Sequence, residues 1–134
     1  MINQEDIKSE FLTMENLYFE FISFKGTGVA ATKHIDSAVG YKEEHIISGD
    51  ELSVSLFCKL EVDNLFEAEL CLKGVFKANS QEMAEKLLPN AIAIMFPYLR
   101  AQVSVLTSQP NLPSVSLKPI NINSFLKKQS MVTE

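Results

Sequence analysis

The chain is short of the residue types from which most recognisable chemical sites are built. Cysteine occurs twice, and Cys58 and Cys71 both fall inside strand-like patterns. They read as small buried hydrophobes of a reducing compartment rather than as a disulfide framework. Basic residues are in deficit, 12 Lys and Arg against 17 Asp and Glu, and the net charge of −5 offers nucleic acid no basic field. No run of about 18 apolar residues exists to insert in a membrane, and no charged-then-apolar leader opens the chain. A soluble, cytoplasmic protein is therefore expected. Histidine is confined to His34 and His45, neither with Cys, Asp or Glu at the spacing of a zinc site, so no metal is expected. His45 follows Glu43 and Glu44, which reads as a solvated strand edge. There is no G-x-S-x-G, P-loop or dinucleotide fingerprint, and hence no implied cofactor or catalytic residue. Gly26-Thr27-Gly28 is too short for phosphate binding and reads as a turn. Internal repeats and low-complexity tracts are absent. The 134 residues read as one domain over 1–134, with polar residues 1–10 as a partly ordered tail.

What is present is hydrophobic patterning. With 46% hydrophobic and 22% charged residues the chain can build a real core. Phe11 to Lys25 reads as a long strand, rich in aromatic and β-branched residues, with apolar side chains at both even and odd positions. The segment Glu15-Asn16-Leu17-Tyr18-Phe19-Glu20 looks like a protease tag site. It lacks the final glutamine and lies within the strand pattern, so it is read as native. Residues 26–40 hold three glycines and no steady period, which predicts a long connection. Tyr41 to Ser48 predicts a weak strand and Ser48-Gly49-Asp50 a turn. Glu51 to Asp63 alternates most clearly. Leu52, Val54, Leu56, Cys58, Leu60 and Val62 share one face, and the opposite face is polar except for Phe57. Leu65 to Lys77 follows, again with its apolar face even-numbered. Opposed residues in these two strands must then sum to an even number. A two-residue Asp63-Asn64 turn would break that parity, so the turn needs an odd count or a nearby bulge.

Beyond Lys77 the period changes from two to 3.6. Asn79 or Ser80 can cap a helix running to Leu88. Pro89 then punctuates, and Asn90 can cap a second, long helix that reaches about Ser108. At about 100° per residue, Ile92, Met95, Phe96, Leu99, Val103 and Leu106 form one apolar stripe. Ala91, Ile94, Tyr98, Ala101 and Val105 form another on roughly the opposite side, with Arg100, Ser104 and Thr107 as a polar strip between. A helix apolar nearly all round must be buried on more than one face. One face can meet the chain's own sheet. The other, carried by Ile94, Tyr98, Ala101 and Val105, asks for a partner subunit. Pro97 removes one intrahelical bond and should bend the helix. Gln109 to Pro119 reads as a proline-bearing extended loop and Ile120 to Gln129 as a closing helix capped by Asn121 or Asn123. The fold class is α+β, a four-stranded antiparallel sheet followed by a long helix and a short C-terminal helix.

The stretch Leu87 to Lys128 resembles the SecB protein-export chaperone family. The resemblance is carried by Pro89-Asn90, by Met95-Phe96-Pro97-Tyr98 with Arg100, and by Leu117-Lys118-Pro119-Ile120-Asn121 followed by Phe125. Ile22-Ser23-Phe24 and Gly74-Val75-Phe76 add two upstream blocks in the same order. It implies ATP-independent holding of unfolded polypeptide clients by a homotetramer, a dimer of dimers with the long helices at its centre. It also implies a peptide groove between the loop after the first strand and the loop joining the helices. Phe24, Val29, Tyr41, Leu112, Val115, Leu117, Ile122 and Phe125 are its candidate lining. Burial of apolar side chains and backbone hydrogen bonds would hold an extended segment there.

The chain departs from the family on the face of the sheet that docks the translocase motor SecA in export members. The two acidic positions of the first strand fall on Phe21 and Lys25. The Leu and Glu positions of the fourth strand fall on Glu67 and Glu69, and only Glu69 keeps its role. Taking odd positions as outward, the docking face is Phe19, Phe21, Glu67 and Glu69, with aromatics in place of charge. SecA docking is therefore expected to be weak or lost. Three alternatives stay open: a SecB-like chaperone dedicated to one client such as an antitoxin, a hot-dog-like acyl-thioester enzyme, and a scaffold sharing only the fold. The hot-dog fold normally places its long helix early, whereas here it follows all the strands.

Overall fold

A computed structural model of the chain describes residues 12–29 and 36–133. The predicted tail, the strand start at Phe11 and His34 lie outside them. Four strands come first: β1 (Thr13–Gly26), β2 (Ser37–Ser48), β3 (Glu51–Val62) and β4 (Phe66–Lys77). Three helices follow: α1 (Gln81–Lys86), α2 (Leu88–Thr107) and α3 (Ile122–Thr133). The strands form one antiparallel sheet in the order β1-β4-β3-β2, and the helices cover one of its faces.

The β3–β4 turn has the odd count that the parity of its strands requires. Val62 pairs with Phe66, leaving three residues, Asp63 to Leu65, in the turn. Asp63 takes a left-handed φ of 39°, and the Leu65 N–H closes on the Val62 carbonyl at 2.8 Å. The even-numbered faces of both strands therefore lie together, from Leu52 against Phe76 to Leu60 against Ala68, and all four of these residues are buried.

β1 behaves differently from a simple alternation. Its register to β4 slips between Met14 and Asn16 and again between Phe19 and Phe21, so Glu15 and Glu20 are extra residues. Each bulge reverses which parity faces the core. Leu17 and Phe19, paired with Gly74 and Leu72, turn inward, while Phe24, paired with Ala68, is inward on even parity. This is why both faces of the strand look apolar in the sequence. It also corrects one residue: Phe19 packs against the core rather than standing on the outer face.

β2 starts at Ser37, four residues earlier than its own pattern shows. Its partner decides this. β3 offers an unbroken ladder, and Val39 falls opposite Leu60 and Ala38 opposite Glu61. The Asp63 N–H to the Asp36 carbonyl at 2.9 Å, and the Asp36 N–H to Asp63 Oδ2 at 3.0 Å, pin the entry to the strand. Gly49 occupies the first central position of the two-residue β2–β3 turn with φ of 61°, a conformation that a side chain would strain.

Ser80 caps α1 by accepting the Met83 N–H at 3.2 Å. Asn90 does not cap α2. The helix starts at Leu88 with Leu87 at the cap position, which puts Pro89 in the first turn, where its missing N–H costs nothing. The α2 stripe Ile92, Met95, Phe96, Leu99 and Val103 is buried against the sheet, each side chain contributing about 1.5–3 kcal/mol. Ala91, which belongs to the second stripe by angle, is buried as well, at the start of the helix. The rest of that stripe faces away from the sheet: Ile94, Tyr98 and Val105 are 40%, 51% and 67% exposed, and Ala101 is exposed too. α3 begins beyond Asn121, whose Oδ1 accepts the Ser124 N–H at 3.0 Å.

Candidate polypeptide-binding site

The polar strip on α2 positions the loop that follows it. Arg100 Nε donates to the Leu117 carbonyl at 2.9 Å, and Thr107 Oγ1 accepts the Val115 N–H at 2.8 Å while donating to the Val103 carbonyl at 2.8 Å. Two buried or half-buried backbone groups of an otherwise irregular loop are thereby satisfied. The loop is laid back along the helix, and its apolar residues meet the sheet.

The candidate lining residues separate into two groups. At the β3–β4 turn, Phe24 stacks on Phe66 with ring centroids 5.1 Å apart, and Leu112 and Val115 pack on the same cluster of Val62, Leu65 and Phe66. Val29 lies beside them, 52% exposed, on a cavity of about 270 Å³ bounded also by Gly26, Leu65, Pro110 and Leu112. The loop after β1 and the loop after α2 do meet here. The second group lies between β2 and α3. Tyr41 meets Phe96 edge-on at 5.6 Å and Phe125 at 6.4 Å, and a cleft of about 680 Å³ opens beside them toward Lys42, Glu44 and Lys128. Burial, the nearby Cys58 second, pushes the Tyr41 hydroxyl up to about 12, opposed by Arg100, so it stays protonated as a polar tip on an apolar wall.

Leu117 does not line either cavity. It is 3% exposed because the Arg100 bond draws its backbone onto α2 and its side chain into the core. Ile122 is half-buried against the same core. Glu43 and Gln129 at the second cleft, with the neighbouring His45, carry no site signal in the sequence. Glu43, 5% exposed, binds His45 through one carboxylate oxygen and Gln129 through the other. Charged residues in an edge strand look solvated, and the α3 residue that buries Glu43 is 86 positions away.

On the outer face, Phe21, Cys71, Phe57 and Lys42 form one row across the four strands. The Phe21 and Phe57 rings approach to 6.5 Å across Cys71, and Lys42 Nζ stands 5.7 Å from the Phe57 centroid. Burial pushes the Cys71 thiol up to about 11, helped by the Glu20 carboxylate, and burial alone does the same for Cys58, so both thiols are inert at neutral pH. Glu67 lies between Lys25 and Glu61, and Glu69 between Ser23 and Lys59. Lys59 Nζ is 3.8 Å from both Glu61 and Glu69. The acidic residues of this face are thus interleaved with lysines. No helix among the described residues is long and apolar enough to cross a membrane.

A sheet backed on one face by helices, with apolar clefts where two loops and the last helix meet it, is the architecture of a SecB-like chaperone. The chain superposes on the Mycobacterium tuberculosis Rv1957 SecB-like chaperone, solved in complex with a ChAD peptide from the HigA1 antitoxin. The TM-score is 0.69 at 13% identity, over 82% of this chain and 91% of that one. The family described as "Preprotein translocase subunit SecB" matches residues 33–132. The protein-export protein SecB of Methylococcus capsulatus is 27% identical, over 90% of this chain and 86% of that protein. That of Buchnera aphidicola is 23% identical, over 91% and 94%. The chain belongs to the SecB family and is a chaperone of that family.

Proposed function

We propose that the chain works in the cytoplasm as a homotetrameric, ATP-independent holdase that captures extended segments of unfolded polypeptide at its two apolar clefts. The observation that carries this reading is the Tyr41–Phe125 cleft, an open aromatic-walled space on a SecB-family fold. Alternate apolar side chains of a client would enter it while the backbone stays extended. Phe125→Ser removes one wall from the half-exposed side. Affinity for an unfolded client should fall at least tenfold, about 1.4 kcal/mol, with the circular dichroism spectrum unchanged. Light scattering of an aggregating client, with and without the variant, measures the loss. Full protection by the folded variant would move the client site elsewhere.

A second reading, a chaperone dedicated to one client, is favoured by the outer face. Lysines 25 and 59 interrupt the acids, and Phe21 and Phe57 occupy the centre of the face. Such a face suits SecA poorly, and we infer that SecA docking is weak or absent. The antitoxin peptide bound by the structural neighbour offers one kind of client for comparison. Pull-down with SecA should recover little of this protein. Tight capture that Glu69→Ala abolishes would restore export as its role.

A further inference from the structure

The outer edge of β2 carries an unusual contact. The turn closes on the pair Ser48 and Glu51, so even-numbered residues of β2 bond to β3. The odd-numbered ones, Val39, Tyr41, Glu43, His45 and Ile47, turn their N–H and C=O groups outward. Among the described residues no further strand pairs with that edge. At its centre Gln129 Oε1 accepts the Glu43 N–H, and Gln129 Nε2 donates to Glu43 Oε2 at 3.1 Å. A primary amide offers a donor and an acceptor in one plane, as a peptide group does. Gln129 Oε1 therefore stands where a carbonyl oxygen of a neighbouring strand would stand, while its Nε2 holds the Glu43 carboxylate.

We propose that Gln129 is an internal competitor for a client's backbone: an extended client segment adds to the outer edge of β2 as an antiparallel strand and displaces the Gln129 amide from the Glu43 N–H. This rests on the holdase reading above. The occupant follows from what flanks the edge. Inward-pointing side chains of an added strand would enter the cleft walled by Tyr41 and Phe125. Outward-pointing ones would run beside Lys42, Glu44 and the 72%-exposed Ile46. The segment that fits alternates apolar and polar residues. In antiparallel addition its apolar residues are those whose own N–H groups face β2.

The experiment uses the intact protein and a soluble 12-residue peptide of alternating Leu and Ser/Lys, measured by fluorescence anisotropy. Two further versions carry backbone N-methyl groups, one at the apolar positions and one at the polar positions. Methylation at the apolar positions should weaken binding at least tenfold, while methylation at the polar positions leaves it within about twofold. Gln129→Met keeps the side-chain length without the hydrogen bonds, and should tighten the unmethylated peptide by about three- to tenfold, the worth of one hydrogen bond. Equal effects of the two methylation patterns, or unchanged affinity in Gln129→Met with its fold retained, would overturn the proposal and leave the holdase reading standing. Self-association of Gln129→Met through the edge, with peptide affinity unchanged, would make the occupant a second copy and also overturn it. No binding of any peptide, together with no suppression of client aggregation, would sink both.

Discussion

Val105→Lys should split the oligomer while leaving each protomer folded. Val105 is 67% exposed on the side of α2 turned away from the sheet, in line with Ile94, Tyr98 and Ala101. These side chains form one apolar face that the described part of the protomer leaves open. On the proposed dimer-of-dimers arrangement this face is buried by another copy. A lysine ammonium there would be desolvated without a partner, at a cost of several kcal/mol, and a symmetric contact would bring in a second one. Within the protomer the substitution is mild. The position is solvent-facing, and a cation in the last turn of a helix is favoured by about 0.3–1 kcal/mol. Light scattering coupled to size-exclusion chromatography should show a mass of half the tetramer or less, with helical circular dichroism retained. If the variant instead unfolds, both stripes of α2 serve one protomer's core and the oligomer proposal fails.

Gly74→Val should destabilise the protomer by about 2 kcal/mol, with part of the loss recovered when Met95 is shortened. Two effects compete. A strand normally gains from replacing glycine by a β-branched residue, by about 0.5–1 kcal/mol. Against this, a Cβ at Gly74 would lie 2.8 Å from Phe76 Cε2, 2.9 Å from Met95 Sδ and 3.2 Å from Met95 Cε. Phe76 and Met95 are both fully buried, so the ends of these side chains have little room to yield. Overpacking of this kind costs about 1–3 kcal/mol, and valine adds two methyl groups beyond the first carbon, so the clash wins. Met95→Ala alone costs about 2–5 kcal/mol through its cavity. The double variant should be more stable than the sum of the two losses by at least about 1 kcal/mol, because valine fills space that methionine leaves. Urea unfolding of the four proteins measures the coupling. Strict additivity would place the Gly74 effect elsewhere than in this contact.

The parts of the fold legible in the sequence are those whose pattern is set locally. β3 and β4 each keep one face apolar throughout because both pack it on the core, and their parity requires an odd turn. α2 declared two stripes because its helical period is regular through Pro97. β1 was only half legible. Its two bulges are a property of its pairing with β4, and nothing in the residues themselves announces that Glu15 and Glu20 drop out of register. That is why alternation alone puts Phe19 on the outer face, whereas it packs on the core. The start of β2 was hidden for a related reason: its first residues have weak propensity, and the ladder of β3 imposes strand on them.

The candidate site divides in the same way. Phe24, Tyr41 and Phe125 were recognisable as aromatic groups near the two loops, and the family resemblance named those loops. Leu117 could not be told from a lining residue until Arg100 was seen to draw its carbonyl onto α2. The cluster of Glu43, His45 and Gln129 depends on a contact spanning 86 positions, for which the chain carries no local signal.

By itself, then, the sequence determined the α+β layout, the buried stripe of α2, the apolar stripe left over and the family. Each follows from side-chain polarity repeated at the period of the backbone. Only the tertiary structure decided which way β1 faces after each bulge, which loop residues are core and which line a cleft, and that an amide from the last helix sits on the open edge of β2. Those outcomes depend on register and long-range hydrogen bonds, which are fixed when distant segments meet.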